Sequence, residues 1–322
     1  QSDILIGTQA FIPYLINVEG KTVLTGRSER TLVSSAMRGK NIFFKLMETC
    51  VQNGIEKGMM FAWGSTTAAK PFRNSGFHYI TGHRCYLGAL VNPHSVGALL
   101  RSSKIRVMLN PKELLSVVKR KDYDWGIEYG KLLCVLPSLI LLMGHKFCMP
   151  SIRNSEYEIV KDPKNYDDIR GLYEELRGRN PMIYLYQDEE FIKWIIYQRT
   201  DTFIRLFVYK NQKLLAYLYA DLKDNTTAFI IDFASIDDSA FQFLLGELRS
   251  QLTTVGILFM VVVTNIKNPH QKHFSKMFLM NGFIPFYLGG QMVVRPFTKK
   301  YEDIIADISS WYLTDLWFLL HS

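Results

Sequence analysis

Residues 34–48 read Ser-Ser-Ala-Met-Arg-Gly-Lys-Asn-Ile-Phe-Phe-Lys-Leu-Met-Glu and combine a glycine-containing turn with the start of a helix. Apolar residues recur on one face of that helix, and Gly58 is placed to end it. The first backbone N–H groups of a helix have no acceptor within it, and the helix dipole favours an anion beside them. Arg38, Lys40 and Lys45 add positive charge at this end. The stretch therefore predicts an anion-binding turn, with a basic surface turn as the plainer alternative.

The segments around this turn alternate between strand and helix signals. Residues 3–35 read as two β-rich segments joined at Glu19-Gly20-Lys21, which predicts a hairpin. Beyond the turn we expect a helix, a strand, a short helix and a strand, over residues 41–57, 59–63, 66–75 and 79–90. The first half of the chain therefore reads as a sheet flanked by helices.

The same order of elements returns in the second half. We expect a strand at 157–160, helices at 166–177 and 188–197, a three-stranded meander over 203–233, a helix at 239–253, a strand at 257–264, a helix at 270–280, a hairpin over 283–295 and a helical tail over 301–318. In both halves the short helix after the buried strand ends in a Gly-Phe pair, Gly76-Phe77 and Gly282-Phe283. This recurrence predicts an internal repeat.

Residues 93–150 differ from both halves because they lack strand alternation. They predict a helical connector, with a buried helix at 132–143 that is too short to span a bilayer. A length of 322 residues is ample for two cores. We expect four parts, namely an N-terminal domain, the connector, a second domain and a helical tail, with the boundaries 1–92, 93–150, 151–298 and 299–322.

The run Arg38-Gly39-Lys40-Asn41-Ile42-Phe43, set between a strand and a helix, resembles a motif of the Gcn5-related N-acetyltransferases. In that family Arg/Gln-x-x-Gly-x-Gly/Ala links the fourth strand to the following helix and holds coenzyme A. The order of elements resembles the family over nearly the whole chain, although the opening strand and helices of the fold are missing from the first half. The resemblance implies an α/β (α+β) fold of two tandem domains, each a mixed, mostly antiparallel sheet flanked by helices.

The resemblance also implies acetyl-CoA, or another acyl-CoA, as a cofactor held by the N-terminal domain. The cofactor-binding residues that it implies are Ser35, Met37, Arg38, Gly39, Lys40, Asn41, Ile42 and Phe43. Asn41 stands where the family usually has Gly, and Asn tolerates the left-handed region better than most residues. Phe43 stands where Gly or Ala is usual, so we expect a narrower approach for the cofactor. The second half has Asp237-Asp238 at the corresponding place, and two carboxylates there predict that it does not bind coenzyme A.

Acyl transfer to an amine needs a base, because a lysine-like amine with a pKa of about 10.4 is protonated at neutral pH. Glu29, on the strand before the turn, is the candidate base, and the alternative is a surface Glu paired with Arg27 or Arg30. The family's usual acid is a Tyr four residues before the Gly-Phe pair, where this chain has Phe72. Phe72 cannot donate a proton, so the role of the acid is vacant or Tyr79 fills it.

Three further residues near the cleft strand remain open as alternatives. Tyr86 is a second candidate for the acid, and His78 or His83 is a second candidate for the base. A single His beside a strand more often has a structural role, and the same holds for the helical pair His270 and His273. No Cys or His group has the spacing of a zinc site, so we expect no metal.

The net charge of +8 and the pI of about 9.1 favour anionic partners. Much of the basic density lies between residues 101 and 131, where acidic residues interrupt it, so a solvated helical face is the plainer interpretation and nucleic acid is a disfavoured partner. Four scattered cysteines are typical of a reducing compartment. With neither a signal peptide nor a transmembrane segment in sight, we expect a cytoplasmic protein.

Three classes of function remain open at this point. The first is an acyl-CoA-dependent N-acyltransferase, expected to be an acetyltransferase, with a small-molecule or peptide amine as acceptor; the tandem plan is also similar to that of the aminoacyl transferases that extend peptidoglycan bridges. The second is a non-catalytic binding protein with the same fold, favoured by Asn41, Phe43 and Phe72. The third is a nucleic-acid-binding module, which is supported only by the net charge.

Overall fold

The computed structural model describes residues 4–66, 68–91, 156–180, 182–198 and 202–319. The predicted connector over 93–150, with its apolar helix and its basic stretch, lies outside the described residues. The chain divides into two compact units. Of the described residues, unit 1 comprises those within 1–83, 181–186 and 289–312, and unit 2 comprises those within 84–180, 187–288 and 313–322.

Eleven strands are found in the described residues. They are β1 (Gly7–Val18), β2 (Lys21–Val33), β3 (Phe61–Ser65), β4 (His78–Leu90), β5 (Glu158–Val160), β6 (Ile183–Leu185), β7 (Phe203–Lys210), β8 (Lys213–Asp224), β9 (Thr227–Ser235), β10 (Phe259–Asn265) and β11 (Ile284–Pro296). The helices in the same ranges are α1 (Ile42–Glu56), α2 (Ala69–Asn74), α3 (Asp167–Arg179), α4 (Glu189–Gln198), α5 (Asp238–Thr254), α6 (Pro269–Met280), α7 (Glu302–Ala306) and α8 (Leu316–Leu319). None of these helices is long and apolar enough to cross a membrane.

Unit 1 is built on a mixed sheet in the order β11-β3-β2-β1-β6. The pair β2 and β3 is parallel, while β1 is antiparallel to both of its neighbours and β11 is antiparallel to β3. One face of the sheet packs under α1 and α2 through a core cluster of buried residues, Met47, Ala62, Phe72, Phe77 and Val293. On the other face the ring of Phe61 meets Trp311 edge to face at 6.0 Å. The two helices therefore lie over β3 and β11.

Unit 2 repeats this arrangement with the sheet order β5-β7-β8-β9-β10-β4. Here β9 and β10 form the parallel pair, and the other neighbours are antiparallel. The ring of Phe233 on β9 packs against Phe241 of α5 and against Phe274 and Phe278 of α6. As in unit 1, a strand, a helix, a parallel strand and a second helix follow one another along the chain.

The two Gly-Phe pairs end their helices in the same way. Gly76 and Gly282 both have positive φ, at 77° and 80°. The next amide then turns back to the helix, Phe77 N–H to the carbonyl of Phe72 and Phe283 N–H to that of Phe278, each at 3.1 Å. The repeated order of elements that the sequence indicates is thus present in the fold, and the division into tandem domains with the boundaries given above stays a prediction.

Two elements of the second half differ from expectation, and one was missed. The hairpin expected over 283–295 is wrong, because one continuous strand, β11, covers these residues and its last part pairs with β3. The helical tail is broken into short helical turns, with residues 312–314 non-helical between them. β6 escaped notice because three residues carry no periodicity of their own.

Candidate functional site

The parallel strands β2 and β3 of unit 1 separate soon after they meet. Their register joins Gly26 to Ala62 and Arg27 to Trp63, and from there β2 continues to Val33 beside β1. Gly64 stands at the point of separation. A Cβ added at Gly64 would lie 3.1 Å from the carbonyl oxygen of Ser28, so a side chain there would push the strands further apart.

A cavity of about 440 Å³ lies beside this separation. Its walls are contributed by β2, by the ends of β3 and α2, and by the first turn of α1, through the residues Ser28, Glu29, Arg30, Thr31, Phe43, Ser65, Thr66, Ala68, Pro71 and Phe72. One wall is aromatic, because the rings of Phe43 and Phe72 meet edge to face at 5.4 Å. The cavity therefore joins an apolar wall, a carboxylate and several hydroxyl groups in one space.

A bulge in β2 forms part of this wall. Ala10 of β1 faces Glu29 and Thr8 faces Leu32, so that β2 has one residue more than β1 between these pairs. Arg30 is the extra residue and has a φ of 57°, in the left-handed region. The hydroxyl group of Thr8 donates a hydrogen bond to the Arg30 carbonyl at 2.6 Å. A bulge breaks the alternation of a strand, and it brings Glu29 and Arg30 to the same cavity.

Side-chain hydrogen bonds hold this bulge from the β1 side. The amide nitrogen of Gln9 donates to the Ser28 hydroxyl at 3.0 Å, and the Thr31 hydroxyl donates to the amide oxygen of Gln9 at 2.5 Å. One side chain of β1 thus bridges both ends of the bulged segment.

Glu29, the candidate base, is ion-paired as well as exposed to the cavity. Its Oε1 lies 2.7 Å from Nε of Arg27, and the two side chains are 21% and 4% exposed. The guanidinium of Arg27 lies over the ring of Trp63 at 5.5 Å. Burial raises the pKa of Tyr14, and the neighbouring Arg27 opposes that rise. The carboxylate is therefore held by a buried cation, as the alternative interpretation of the sequence required, while it still faces the cavity.

The predicted anion-binding turn has the conformation that its sequence indicates. A 3-10 helix over Ser35–Met37 leads to Gly39, whose φ is 80°, and to Asn41, whose φ is 58° and which is the N-cap of α1. The helix begins at Ile42, and Asn41 makes no side-chain capping bond. Asn41 therefore takes the left-handed conformation expected of it, and it leaves the first amides of α1 available.

The charge around this helix start is positive. The first turn of α1 contains no acidic residue. Arg38, Lys40 and Lys45 are exposed and form no ion pair with any described residue. Because Phe43 belongs to this first turn and also lines the cavity, the predicted anion-binding turn and the cavity share a wall.

Of the other candidate residues, Phe72 lines the cavity and the tyrosines do not. Phe72 is buried in the core cluster and packs on Phe77 at 5.2 Å. Tyr79 packs against the same cluster, with the guanidinium of Arg73 over its ring at 5.7 Å, and is not among the described residues that line the cavity. Its role as the acid stays a prediction. Tyr86 lies in unit 2 beside Phe286.

The corresponding helix start in unit 2 is already occupied by its own side chains. Asp237 is the N-cap of α5, and its carboxylate accepts from the Ala240 amide at 2.7 Å and from the Tyr157 hydroxyl at 3.2 Å. Asp238 lies 2.8 Å from His273. Two carboxylates therefore stand where an anion would have to bind.

The separation of β9 and β10 is filled as well. Past the last parallel pair, Ile230 with Val262, the buried Asp232 accepts hydrogen bonds from Tyr217 at 2.6 Å, Gln187 at 2.7 Å and Thr314 at 2.8 Å. The amide of the buried Gln271 side chain bonds to both the N–H and the carbonyl of Leu313, at 3.0 and 2.8 Å. The C-terminal segment of the chain thus occupies the place that the cavity has in unit 1.

Several residues of the unit 1 cavity were not singled out from the sequence. The missed signal is a change in polarity at the end of β3, where Ser65-Thr66 follow the apolar residues 61–63, together with the polar run Ser28–Thr31 on β2. Polar residues at the ends of neighbouring parallel strands are a common mark of a site. Among the described residues, no group of three or more His, Cys, Asp or Glu side chains could hold a metal ion.

Comparison with known proteins gave likeness in structure alone. No protein-family model and no curated protein sequence matches the chain. Similar structures include a GCN5-related N-acetyltransferase from Anabaena variabilis, with a TM-score of 0.54, 12% identity, and coverage of 89% of this chain and 59% of that chain. A probable N-acyltransferase from Enterococcus faecalis has a TM-score of 0.54, 10% identity, and coverage of 90% and 59%.

The Saccharomyces cerevisiae N-myristoyltransferase, in a structure with bound myristoyl-CoA, is also similar, with a TM-score of 0.51, 11% identity, and coverage of 90% of this chain and 63% of that chain. This chain therefore spans 59% to 63% of the length of these three similar structures. At such low identity the likeness extends to the fold and not to the activity. The chain has the fold of the GCN5-related N-acetyltransferases.

Proposed function

We propose that this chain is an acyl-CoA-dependent N-acyltransferase whose cofactor, acetyl-CoA in the simplest case, binds to unit 1. The observation that carries the proposal is the shared wall described above. The start of α1 has no side-chain cap, and the nearby Arg38, Lys40 and Lys45 form no ion pair with a described residue. This helix start opens beside a cavity that contains a carboxylate. An anionic group at the helix start would place whatever is attached to it at this cavity.

The residues that we assign to the cofactor are Ser35, Met37, Arg38, Gly39, Lys40, Asn41, Ile42 and Phe43. The amides at the start of α1 would bind the diphosphate, and Arg38 and Lys40 would offset its charge. Gly39 and Asn41 hold the turn open through their positive φ values. Phe43 and Phe72 would pack against the apolar part of the acyl-pantetheine arm.

The chemistry assigned to Glu29 is removal of a proton from the acceptor amine. Deprotonating a lysine-like amine at pH 7 costs about 4 to 5 kcal/mol, and a carboxylate within reach of the amine can lower the barrier by accepting the proton in the transition state. The amine nitrogen then attacks the thioester carbon, the C–S bond breaks, and the coenzyme A thiolate leaves and is protonated. Phe72 cannot supply that proton, and we assign it to Tyr79 as a proposal that Tyr79→Phe tests.

Calorimetric titration with acetyl-CoA tests the cofactor site directly. We expect one binding site in the native protein and binding weakened by at least about tenfold in Arg38→Glu, because the variant puts a carboxylate beside the diphosphate. Titration with myristoyl-CoA reports whether a longer chain is accepted. If the native protein binds neither thioester, the proposal fails.

The rate of coenzyme A release in the presence of amines tests the base. Glu29→Gln keeps the size of the side chain, and we expect it to lower kcat by at least about a hundredfold while acetyl-CoA binding is retained. Glu48→Gln is the matched control, because Glu48 is also paired with an arginine, Arg295 at 2.8 Å, but does not line the cavity. An unchanged rate in Glu29→Gln removes Glu29 from the mechanism.

A non-catalytic acyl-CoA-binding protein is the second candidate function. Phe72 favours it, because a phenyl ring lines the cavity where the resemblance implies a proton donor. The ion pair between Glu29 and Arg27 favours it as well, since a buried arginine needs its counter-ion. Acetyl-CoA binding without thiol release for any amine would select this candidate.

A further inference from the structure

Arg30 is an unusual residue for the conformation it adopts. Five residues other than glycine have positive φ in the described part of the chain, namely Glu19, Arg30, Asn41, Asn211 and Gln212. Glu19, Asn211 and Gln212 lie in hairpin turns, and Asn41 begins α1. Arg30 alone among them lies inside a strand, at a bulge position that glycine normally fills. A strained residue of this kind points to a use for its side chain.

No described residue neutralises the charge of Arg30 through an ion pair. Its neighbour Arg27 is paired with Glu29, whereas Arg30 has no ion pair with any residue that the structure describes. Arg30 is exposed and lines the cavity beside the candidate base. The carboxylate of Glu29 is thus offset by Arg27, and the guanidinium of Arg30 remains available to a ligand.

Two adjacent residues of the cavity wall, Glu29 and Arg30, suit a small zwitterion. Consecutive Cα atoms are about 3.8 Å apart, so that a base and a cation on adjacent residues can contact two groups of one small molecule. A guanidinium binds a carboxylate through two parallel N–H bonds. A ligand with an amine and a carboxylate a few bonds apart would satisfy both residues.

We propose that the acceptor of the acyl group is an amino acid or a similar amino acid-like amine, and that Arg30 binds its carboxylate. This inference rests on the proposed function, since it names the acceptor for the same cavity. The amine of the acceptor gives its proton to Glu29 and attacks the thioester. The carboxylate stays on Arg30, which is a substrate-binding residue that takes no part in proton transfer.

The test compares amino acids with their decarboxylated amines as acceptors for acetyl-CoA, with coenzyme A release as the readout. Suitable pairs are glycine with methylamine, β-alanine with ethylamine, L-lysine with cadaverine and L-phenylalanine with phenethylamine. We expect the native protein to prefer the amino acid in at least one pair by about tenfold in kcat/KM. Arg30→Gly is expected to reduce that preference to about twofold or less, and Arg30→Lys to retain part of it.

The expected stability of Arg30→Gly and a matched control variant separate loss of acceptor preference from loss of folding. Glycine suits the left-handed conformation, so Arg30→Gly is expected to have a Tm equal to or above that of the native protein. Glu19→Gly is the matched control, because it relieves the same backbone conformation in the β1–β2 turn without touching the cavity, and its acceptor preference should equal the native one.

The outcomes separate this inference from the proposed function. If acetyl-CoA binds and thiol is released, but amines react as well as amino acids or the preference persists in Arg30→Gly, the inference is wrong and the proposed function stands. If acetyl-CoA binds and no member of any pair releases thiol, the inference is also wrong. If acetyl-CoA does not bind, the proposed function is wrong, and the acceptor site that rests on it is wrong as well.

Discussion

The starts of α1 and α5 occupy the same place in their units, but they treat an anion in opposite ways. Each helix follows a strand that pairs in parallel with the next strand of the chain. α1 begins at a left-handed Asn41 that makes no capping bond, whereas α5 begins at Asp237, whose carboxylate caps the Ala240 amide. Capping stabilises a helix, and it also fills the position that a ligand would use. The start of α1 lacks this stabilisation, and it is the helix start to which we assign the cofactor.

The gaps between the parallel strands show the same contrast. In unit 1 the gap opens into a cavity of about 440 Å³. In unit 2 it is closed by hydrogen bonds that converge on Asp232 and Gln271 from residues Leu313 and Thr314. A closed gap of this kind gains stability from a satisfied polar network, but it encloses a carboxyl group that must lose its hydration.

The largest effect that we predict is a pH dependence that originates in unit 2. Burial raises the pKa of Asp232 to about 6, and it raises the pKa of Asp315 to about 6 as well, with Arg84 opposing the second rise. Because both values lie above the ordinary value of 3.8, each neutral carboxyl adds stability that is fully present below that value and is lost as the pH rises through 6. Together the two groups should add on the order of 2 to 3 kcal/mol to the free energy of unfolding at pH 5 relative to pH 7.5.

The variant Asp232→Asn isolates the share of one group. The Oε1 atom of Gln187 has no hydrogen-bond partner among the described residues, so a flip of that amide can satisfy the new Asn. We expect the difference in unfolding free energy between native and variant protein, measured in urea, to change by about 1.4 kcal/mol between pH 5 and 7.5. Parallel pH curves for the two proteins would show that Asp232 does not titrate in this range.

The second effect comes from giving the start of α1 the negative charge that the start of α5 has. Asn41→Asp gives α1 the carboxylate that α5 has, and Asp tolerates the left-handed region. The helix should become more stable by about 0.3 to 1 kcal/mol, because a negative charge at its start complements the dipole. Acetyl-CoA should bind at least about tenfold more weakly, because the same charge repels the diphosphate. A Tm measurement checks the expected gain in stability, and calorimetry on the same sample checks the expected loss of affinity for acetyl-CoA.

Asn41→Gly is the control for that experiment. It suits the left-handed conformation and adds no charge, so the affinity for acetyl-CoA should stay within about twofold of the native value. Equal weakening in the Gly and Asp variants would mean that the side chain of Asn41, and not the charge at position 41, governs the affinity.

The features that could be predicted from the sequence are those set by a few adjacent residues. Glu19-Gly20, Gly39 with Asn41, and the two Gly-Phe pairs impose backbone conformations locally, and the structure has each of them. They sufficed to place the hairpin, the start of α1 and the repeated order of elements. The likeness to solved structures then confirmed the fold.

The features that escaped prediction depend on partners far away in the chain. The three-residue strand β6 exists because it pairs with β1, and the bulge at Arg30 exists because β2 has one residue more than β1 opposite it. The insertion of Leu313 and Thr314 depends on side chains 42 and 82 residues away, Gln271 and Asp232. Local sequence patterns do not indicate such long-range pairings. The shape of the cavity and the filling of the gap between β9 and β10 could therefore be seen only in the structure.

A third effect tests whether the cap of α5 is structural. Asp237→Ala should lower the free energy of unfolding by about 1 kcal/mol, because the Ala240 amide loses its acceptor. The number of acetyl-CoA sites should remain one, since the gap behind α5 is filled. A second calorimetric site in this variant would mean that charge alone, and not the closed gap, keeps unit 2 from binding the cofactor.

The smallest effect compares one substitution at two glycines. Gly64→Ala should destabilise the protein by about 1 kcal/mol, because the new Cβ would lie 3.1 Å from the Ser28 carbonyl oxygen, where β2 and β3 separate. Gly246→Ala, in the exposed middle of α5 where a Cβ meets nothing within 4 Å, should stabilise it by about 0.5 to 1 kcal/mol. Urea denaturation of both variants measures whether the free energy of unfolding falls in Gly64→Ala and rises in Gly246→Ala. If Gly64→Ala is neutral, β2 and β3 can separate further at no cost, and the width of the cavity is not set by the close approach of Gly64 to Ser28.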